Sequence, residues 1–457
     1  MLMVVLGLVL YCAGLLAPLL HAGPALAPAL RIAGLLLLAV CAWRRRSLTL
    51  WIFWAMFAGG EIGADAPSLA VSLRVFSDIF LRLIKTIVAP LILGTLITGI
   101  GAHTQMRSLG RMGLKALVYF EVLTTVAMLV GLAAINITRA GVGLTLPQNA
   151  AAHAVTAAPP MRWDEVLLHS FPENIAKSVA DNQILQVAVF AVLFGLALGR
   201  LSAEHREPLM RVIESFTATM FAFTNLVMYY APIGVGAAMA YTVGQMGTGV
   251  LFHLGRLLLT LYGALLVFGL VGLLPAALLF GVPVRRFLAA VAEPATIAFA
   301  TSTSEAALPR AMEAMEALGV PRRIVAFVIP AGYSFNLDGS TLYLALASVF
   351  VAQAAGVHMS WKEQLFMVAT LMLTSKGVAG VPRATLIVLL ATAAMFHLPE
   401  EPIYVILGID ALMDMARTAV NVTGNCLASA VVACWEGEFG AEPAVETLEA
   451  LPEGELR

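Results

Sequence analysis

Six polar or charged residues, Asp410, Asp414, Arg417, Thr418, Asn421 and Asn425, recur through an otherwise apolar segment near the end of the chain. At 100° per residue they fall within an arc of about 100° on a helix, so the segment carries one polar stripe. Asp414 and Arg417 are three apart and adjoin on that stripe, which permits an ion pair when no cargo is bound. A guanidinium suits bidentate contact with a carboxylate, and a carboxylate suits an ammonium group. Charges at membrane depth are costly and persist mainly beside a cavity, an ion pathway or each other. Mutual neutralisation between packed helices is therefore the alternative reading.

Three further stretches break the apolar pattern. In Asn336-Leu337-Asp338-Gly339-Ser340, an Asn, an Asp and a Gly interrupt a helix and free backbone carbonyls beside a carboxylate. Such oxygen-rich, partly unwound backbone is what a dehydrated cation or a carried proton requires, although a simple kink around a satisfied aspartate would look the same. Thr301-Ser302-Thr303-Ser304-Glu305 and Ser375-Lys376-Gly377-Val378-Ala379-Gly380-Val381-Pro382 lie at points that should be deep in a bilayer. Alone, small polar residues of this kind also serve helix packing. As a pair of interruptions they point to two re-entrant hairpins around a binding site, because irregular backbone in a membrane needs protein or a water-filled cavity to satisfy it.

The elements that must position these residues are membrane helices. The chain has 457 residues, of which 60% are hydrophobic and 12% charged, and its mean hydropathy is +0.90. These values exclude a soluble enzyme. Long apolar runs over 116–138, 184–201, 256–282 and 384–399 suit helices that cross about 30 Å of hydrocarbon, and porin-like alternation is absent. A net charge of -1 and the lack of a basic tract with aromatics exclude nucleic-acid binding. The four cysteines have no metal-type spacing and read as packing residues.

Basic clusters set the orientation. Arg44 to Arg46, then Arg107, Arg111 and Lys115, then Arg200, Arg206 and Arg211, then Arg285 and Arg286 all fall on one side, taken as cytoplasmic. Helices over about 47–66 and 73–101 begin a set of six crossings before residue 283, with an external loop at 139–175 poor in Lys and Arg. Residues 1–46 read as an extra N-terminal hydrophobic hairpin, with a cleaved signal peptide as the alternative. Residues 436–457 read as an acidic cytoplasmic tail.

Four ordered motifs resemble the dicarboxylate/amino acid:cation symporter family over about 47–435: Ser302 to Pro309, Tyr333 to Ser340, Thr374 to Pro382 and Asp414 to Thr418. The resemblance implies an all-α polytopic protein of eight transmembrane helices plus two re-entrant helical hairpins. It also implies a homotrimer in the cell (inner) membrane, surrounded by lipid. A scaffold over about 47–110 and 176–248 would hold a transport domain over about 111–140 and 249–435 that moves like an elevator, with the second hairpin as external gate.

Residue by residue, the resemblance makes Arg417 the group that holds a distal carboxylate and Asp414 the group that holds an α-amino group. Thr418, Asn421 and Ser340 match polar contacts. Thr303 and Ser304 match first-hairpin contacts, and Val381 lies at the second tip. Relatives that carry C4-dicarboxylates have a small uncharged residue where Asp414 stands, so glutamate or aspartate is expected over succinate, malate or fumarate. Cation coupling is implied around Thr124, Gly332, Ser334, Asn336, Asp338, Ser375, Asn421 and Asn425.

The pattern departs from sodium-coupled relatives where Asn425 replaces an acidic ligand and where Phe120 and Leu123 replace a tyrosine and a threonine. The Tyr119-Phe120-Glu121 and Asn425 pattern resembles proton-coupled bacterial relatives. Protons are therefore expected as the coupling ion, with Asp338, Glu121 or Glu305 as carriers. A residual sodium site near Ser334 and the second hairpin is the additional option. Leu344 stands where mammalian relatives use a glutamate for proton countertransport, and Arg383 where a glycine is usual. No cofactor is expected. Two other classes compete: an intramembrane enzyme using Ser304 with Glu305 or Asp338, for which no His/Asp partner pattern exists, and a passive channel lined by the polar stripe.

Overall fold

The computed structural model describes residues 2–16, 26–101, 108–144, 168, 171–181, 183–375, 384–396 and 398–440. All regular structure among them is helical. In chain order the helices are α1 (Leu2–Leu16), α2 (Leu26–Arg45), α3 (Leu48–Asp65), α4 (Pro67–Ser72), α5 (Arg74–Gly101), α6 (Ser108–Thr138) and α7 (Ile175–Ala180). They continue as α8 (Ile184–Gly199), α9 (Ala203–Met228), α10 (Ala231–Met246), α11 (Val250–Phe268) and α12 (Leu274–Leu279). The last are α13 (Val284–Thr301), α14 (Ser304–Leu318), α15 (Arg322–Phe335), α16 (Asp338–Ala354), α17 (Trp361–Thr374), α18 (Ala384–Met395), α19 (Glu401–Leu407) and α20 (Asp410–Glu436).

Among the described residues, 6 helical spans are long and apolar enough to cross a membrane, or 7 if the α9–α10 pair, bent by 49°, counts as one span. The protein is thus polytopic. The expected helices over 47–66 and 73–101 correspond to α3 and α5. Pro275 supplies no N–H to the helix ladder, and α11 reaches α12 through a π-helical turn at Gly269–Leu273.

In lipid, helices gain little from apolar burial against one another, so close approach and polar contacts must hold them. On α3, Gly59 and Gly63 lie against Gly236 and Ala240 of α10, close enough that an added carbon would overlap backbone. Helix α10 also packs on α4 and α5, and α5 packs on α8 and α9. A second group gathers around α20, which takes α13, α14, α15, α16 and α11, while α6 packs on α16 and α11.

The N-terminal pair α1 and α2 packs together and then onto α3. The contact is polar at its centre: Glu61 accepts from the Tyr11 hydroxyl at 2.8 Å and from Arg31 Nη1 at 2.7 Å. Around it, the rings of Tyr11 and Phe57 lie 4.9 Å apart.

Two breaks aim backbone at α20. Helices α13 and α14 pack on each other around a turn in which Ser302 takes φ 54°, a left-handed conformation costly for a residue with a Cβ. Helices α15 and α16 form one 33-residue span interrupted at Asn336 and Leu337. The apolar surface of α16 is almost wholly buried, so the break is held inside protein rather than against lipid.

Candidate functional site

The polar stripe of α20 is buried along its length. Asp410, Asp414, Arg417, Thr418, Asn421 and Asn425 all lie inside the helix cluster, and Arg417 is 0% exposed. Arg417 Nη2 donates to Asp414 Oδ1 at 2.7 Å and to Asp410 Oδ1 at 3.1 Å. Its guanidinium carbon sits 3.9 Å from the centroid of the Tyr343 ring, a desolvated cation–π contact of about 2 kcal/mol. Nε and Nη1 of Arg417 have no hydrogen-bond partner. Buried guanidinium donors without partners are expensive, and a bidentate carboxylate is the group that satisfies two of them at once.

Below Arg417, Asn421 closes the open end of α16. Its Oδ1 accepts from Gly339 N at 2.8 Å and Ser340 N at 3.2 Å, and its Nδ2 donates to Ser340 Oγ at 2.9 Å. These backbone N–H groups belong to the first turn of α16, which has no carbonyl partner of its own. An Asn one helix away thus performs an N-cap function. Gly339 permits this contact, because a Cβ there would come within 2.4 Å of the Arg417 carbonyl oxygen.

One turn further along α20, the break forms a second polar cluster. Asn336 Nδ2 donates to Asp338 Oδ2 and to Asn425 Oδ1, each at 3.1 Å. Both asparagines and Asp338 are 0% exposed. Gly424 faces Asp338 so closely that an added Cβ would lie 2.4 Å from Oδ2, and Gly332 packs on the Asn425 amide in the same way. Helix α6 contributes Tyr119, which lies within electrostatic reach of Asp338, and carries Thr124, which is buried with its hydroxyl unpaired. Phe120 and Leu123 are buried on that same face of α6 and offer no oxygen.

The remaining expected residues distribute around these clusters. Ser304 is buried at the start of α14, and Thr303 in the turn donates from N and Oγ1 to Thr301 Oγ1 at 3.3 and 3.1 Å. Ser375 is buried at the end of α17. Ser334 belongs to the last turn of α15, and its side chain lies outside the described residues, as do Val381, Arg383 and the rest of 376–383. Glu121 and Glu305 are exposed on the surface of the chain. Of the three proposed proton carriers, only Asp338 is enclosed.

Asp410 and Tyr343 are site neighbours that motif reading did not assign. Asp410 was visible as the first member of the stripe. Tyr343 had one signal, a hydroxylated aromatic five residues after Asp338 in a segment of apolar and small residues.

Comparison with known proteins bears on the family of the whole chain. A family model described as the sodium:dicarboxylate symporter family matches residues 48–435, which leaves α1 and α2 outside it. The chain is 43% identical over 376 residues to a proton/glutamate-aspartate symporter of Escherichia coli (strain K12), covering 80% of this chain and 86% of that protein. It is 38% identical over 417 residues to a proton/sodium-glutamate symport protein of Bacillus caldotenax, covering 89% and 99%. It is also 43% identical over 401 residues to a C4-dicarboxylate transport protein of Solibacter usitatus (strain Ellin6076), covering 86% and 94%. Overall identity therefore does not separate amino-acid from dicarboxylate cargo.

Proposed function

Since the chain belongs to the sodium:dicarboxylate symporter family, and is thus a multi-pass membrane transporter and not an enzyme, we propose that it imports glutamate or aspartate in symport with protons. The observation that carries this reading is Asp414 beside a fully buried Arg417 with two unpartnered nitrogens. With both aspartates ionised, Asp410, Asp414 and Arg417 together carry one net negative charge. A substrate with two carboxylates and no ammonium would add to that charge. An acidic amino acid places its distal carboxylate on Arg417 and its ammonium on Asp414, so opposite charges meet at both ends. Thr418, Asn421, Ser340, Thr303, Ser304 and Val381 would complete the contacts.

Coupling runs through Asp338. With Asn425 neutral, the Asn336–Asp338–Asn425 cluster carries one carboxylate and loses no countercharge when that carboxylate takes a proton. Thr124 and the backbone around Gly332, Ser334 and Ser375 would supply oxygens to a sodium ion, the ion named beside protons for the Bacillus relative. The family resemblance adds a homotrimer, eight transmembrane helices with two re-entrant hairpins, and elevator motion of 111–140 and 249–435 against 47–110 and 176–248. That division would put the contact of Lys85 on α5 with Glu400, at 3.4 Å, across the sliding boundary. Basic loops and the C-terminus would face the cytoplasm of an inner membrane.

Uptake into proteoliposomes with separately imposed proton and sodium gradients tests the reading. Glutamate or aspartate should accumulate against its gradient under an inward proton gradient without sodium. Succinate uptake in place of glutamate would overturn the cargo assignment. Loss of pH-driven uptake in sodium-free buffer would overturn proton-only coupling, and equilibration without accumulation would indicate a channel.

A further inference from the structure

The two ends of the α6–α11–α20 group are chemically unlike. At one end Lys115 of α6 pairs with Glu436 at 2.7 Å and lies over the Trp435 ring of α20, while Arg323 pairs with Glu438. At the other end α6 stops at Thr138, and the next residue, Arg139, is exposed. Arg256 of α11 reaches this end and donates through Nη2 to the Thr138 carbonyl, one of the unsatisfied carbonyls of the last helical turn. His253, one turn earlier on α11, lies 3.4 Å from the Ala140 carbonyl. Among the described residues, no carboxylate pairs with Arg139 or Arg256.

Arg256 borders an apolar recess. A cavity of about 610 Å³ is lined by Thr138, Leu251, Phe252, Gly255, Leu259 and Thr260 together with Arg256. Leu251, Phe252 and Leu259 are large hydrophobics on the exposed face of α11. Gly255 lies among them, and a carbon added there meets nothing within 4 Å, so its missing side chain deepens the recess. Arg256 is six positions into α11, about 9 Å from the helix start, and Leu259 is about 5 Å deeper. A cation near the end of a membrane helix with an apolar trough running inward from it matches a phospholipid, headgroup first.

We propose that this recess binds an anionic phospholipid, with its phosphate on Arg256 and one acyl chain in the gap at Gly255 and inward along Leu259. The Thr138 carbonyl takes one of five guanidinium donors, which leaves the others for phosphate oxygens. The trough is apolar and open on one side, as an acyl chain requires and a soluble anion does not. Because the basic clusters of the chain gather at the opposite end, the lipid belongs to the outward-facing leaflet. The site is outside the residues assigned to cargo and coupling, so it goes beyond the transport reading.

Native mass spectrometry of the detergent-purified full-length protein titrated with phosphatidylglycerol or phosphatidylcholine tests this. The parent should retain phosphatidylglycerol about tenfold more strongly than Arg256→Gln does, and more strongly than it retains phosphatidylcholine. Gly255→Leu, which fills the trough and leaves the guanidinium in place, should lose both lipids. Arg256→Lys should recover part of the headgroup preference. Equal phosphatidylglycerol retention by the parent and both variants would overturn the proposal. So would a variant pattern in which only thermal stability falls, since that is the signature of a helix cap alone. Displacement by inorganic phosphate with Gly255→Leu unaffected would assign the site to a free anion instead.

Discussion

Replacing Asp414 by Asn should convert this protein from an amino-acid carrier toward a dicarboxylate carrier. In the structure Asp414 makes a 2.7 Å contact with Arg417, and Arg417 keeps Asp410 at 3.1 Å and Tyr343 beneath it when Asp414 is neutral. The guanidinium is therefore not stranded, and the variant should fold. Releasing Asp414 also frees Arg417 for an incoming carboxylate, a gain shared by glutamate and succinate. What differs is the ammonium. Glutamate loses a charge-assisted contact of about 2–3 kcal/mol, whereas succinate loses a repulsion. At 1.4 kcal/mol per decade, the glutamate-to-succinate preference should fall by about 30- to 150-fold. The assay is competitive uptake of labelled glutamate and succinate into proteoliposomes, with thermal unfolding as a folding control. A correctly folded variant whose KM for glutamate stays within about threefold of the parent, and which still rejects succinate, would refute the reasoning.

Four other variants have outcomes that follow from the structure. Asp338→Asn should abolish uptake driven by an inward proton gradient and remove its dependence on external pH, while glutamate exchange across the membrane persists; a variant that still accumulates glutamate in response to external acid would exclude Asp338 as carrier. Gly424→Ala should displace the Asp338 carboxylate, at a cost of about 1–3 kcal/mol, and lower proton-driven uptake. Gly263→Ala, where an added carbon meets nothing within 4 Å, should change neither stability nor uptake, and equal behaviour of the two variants would count against the close-packing argument. Glu61→Gln should weaken the attachment of α1 and α2 by about 1–2 kcal/mol, read as earlier proteolysis of the N-terminal pair, and unchanged protease resistance would mean that apolar packing alone holds it.

Much of the site was legible because membranes penalise polarity. A stripe of Asp, Arg, Thr and Asn in an apolar helix has few inexpensive explanations, and Asn-Leu-Asp-Gly-Ser can only interrupt a buried helix if neighbours satisfy it. Helical periodicity then placed Asp414 beside Arg417 with no tertiary information. The family resemblance supplied the roles that periodicity could not. What stayed hidden depended on approach between distant segments. Nothing local in Tyr343 says that its ring lies under Arg417, or in Asn421 that it caps a helix 82 residues earlier.

By itself, then, the sequence determined that this is a polytopic helical membrane protein with a polar stripe on one face of its last long helix and three interrupted stretches before it. Period, composition and the cost of burying charge are local properties, readable one segment at a time. Tertiary structure decided which of the candidate carboxylates is enclosed. Glu121, Glu305 and Asp338 are all carboxyls in the sequence, yet only Asp338 is closed off, because Gly339 brings α16 onto the backbone of α20 while Gly332 and Gly424 leave room for the Asn425 amide and the Asp338 carboxylate. Enclosure is a property of helices meeting, and it sets the dielectric in which a carboxyl must hold or release a proton.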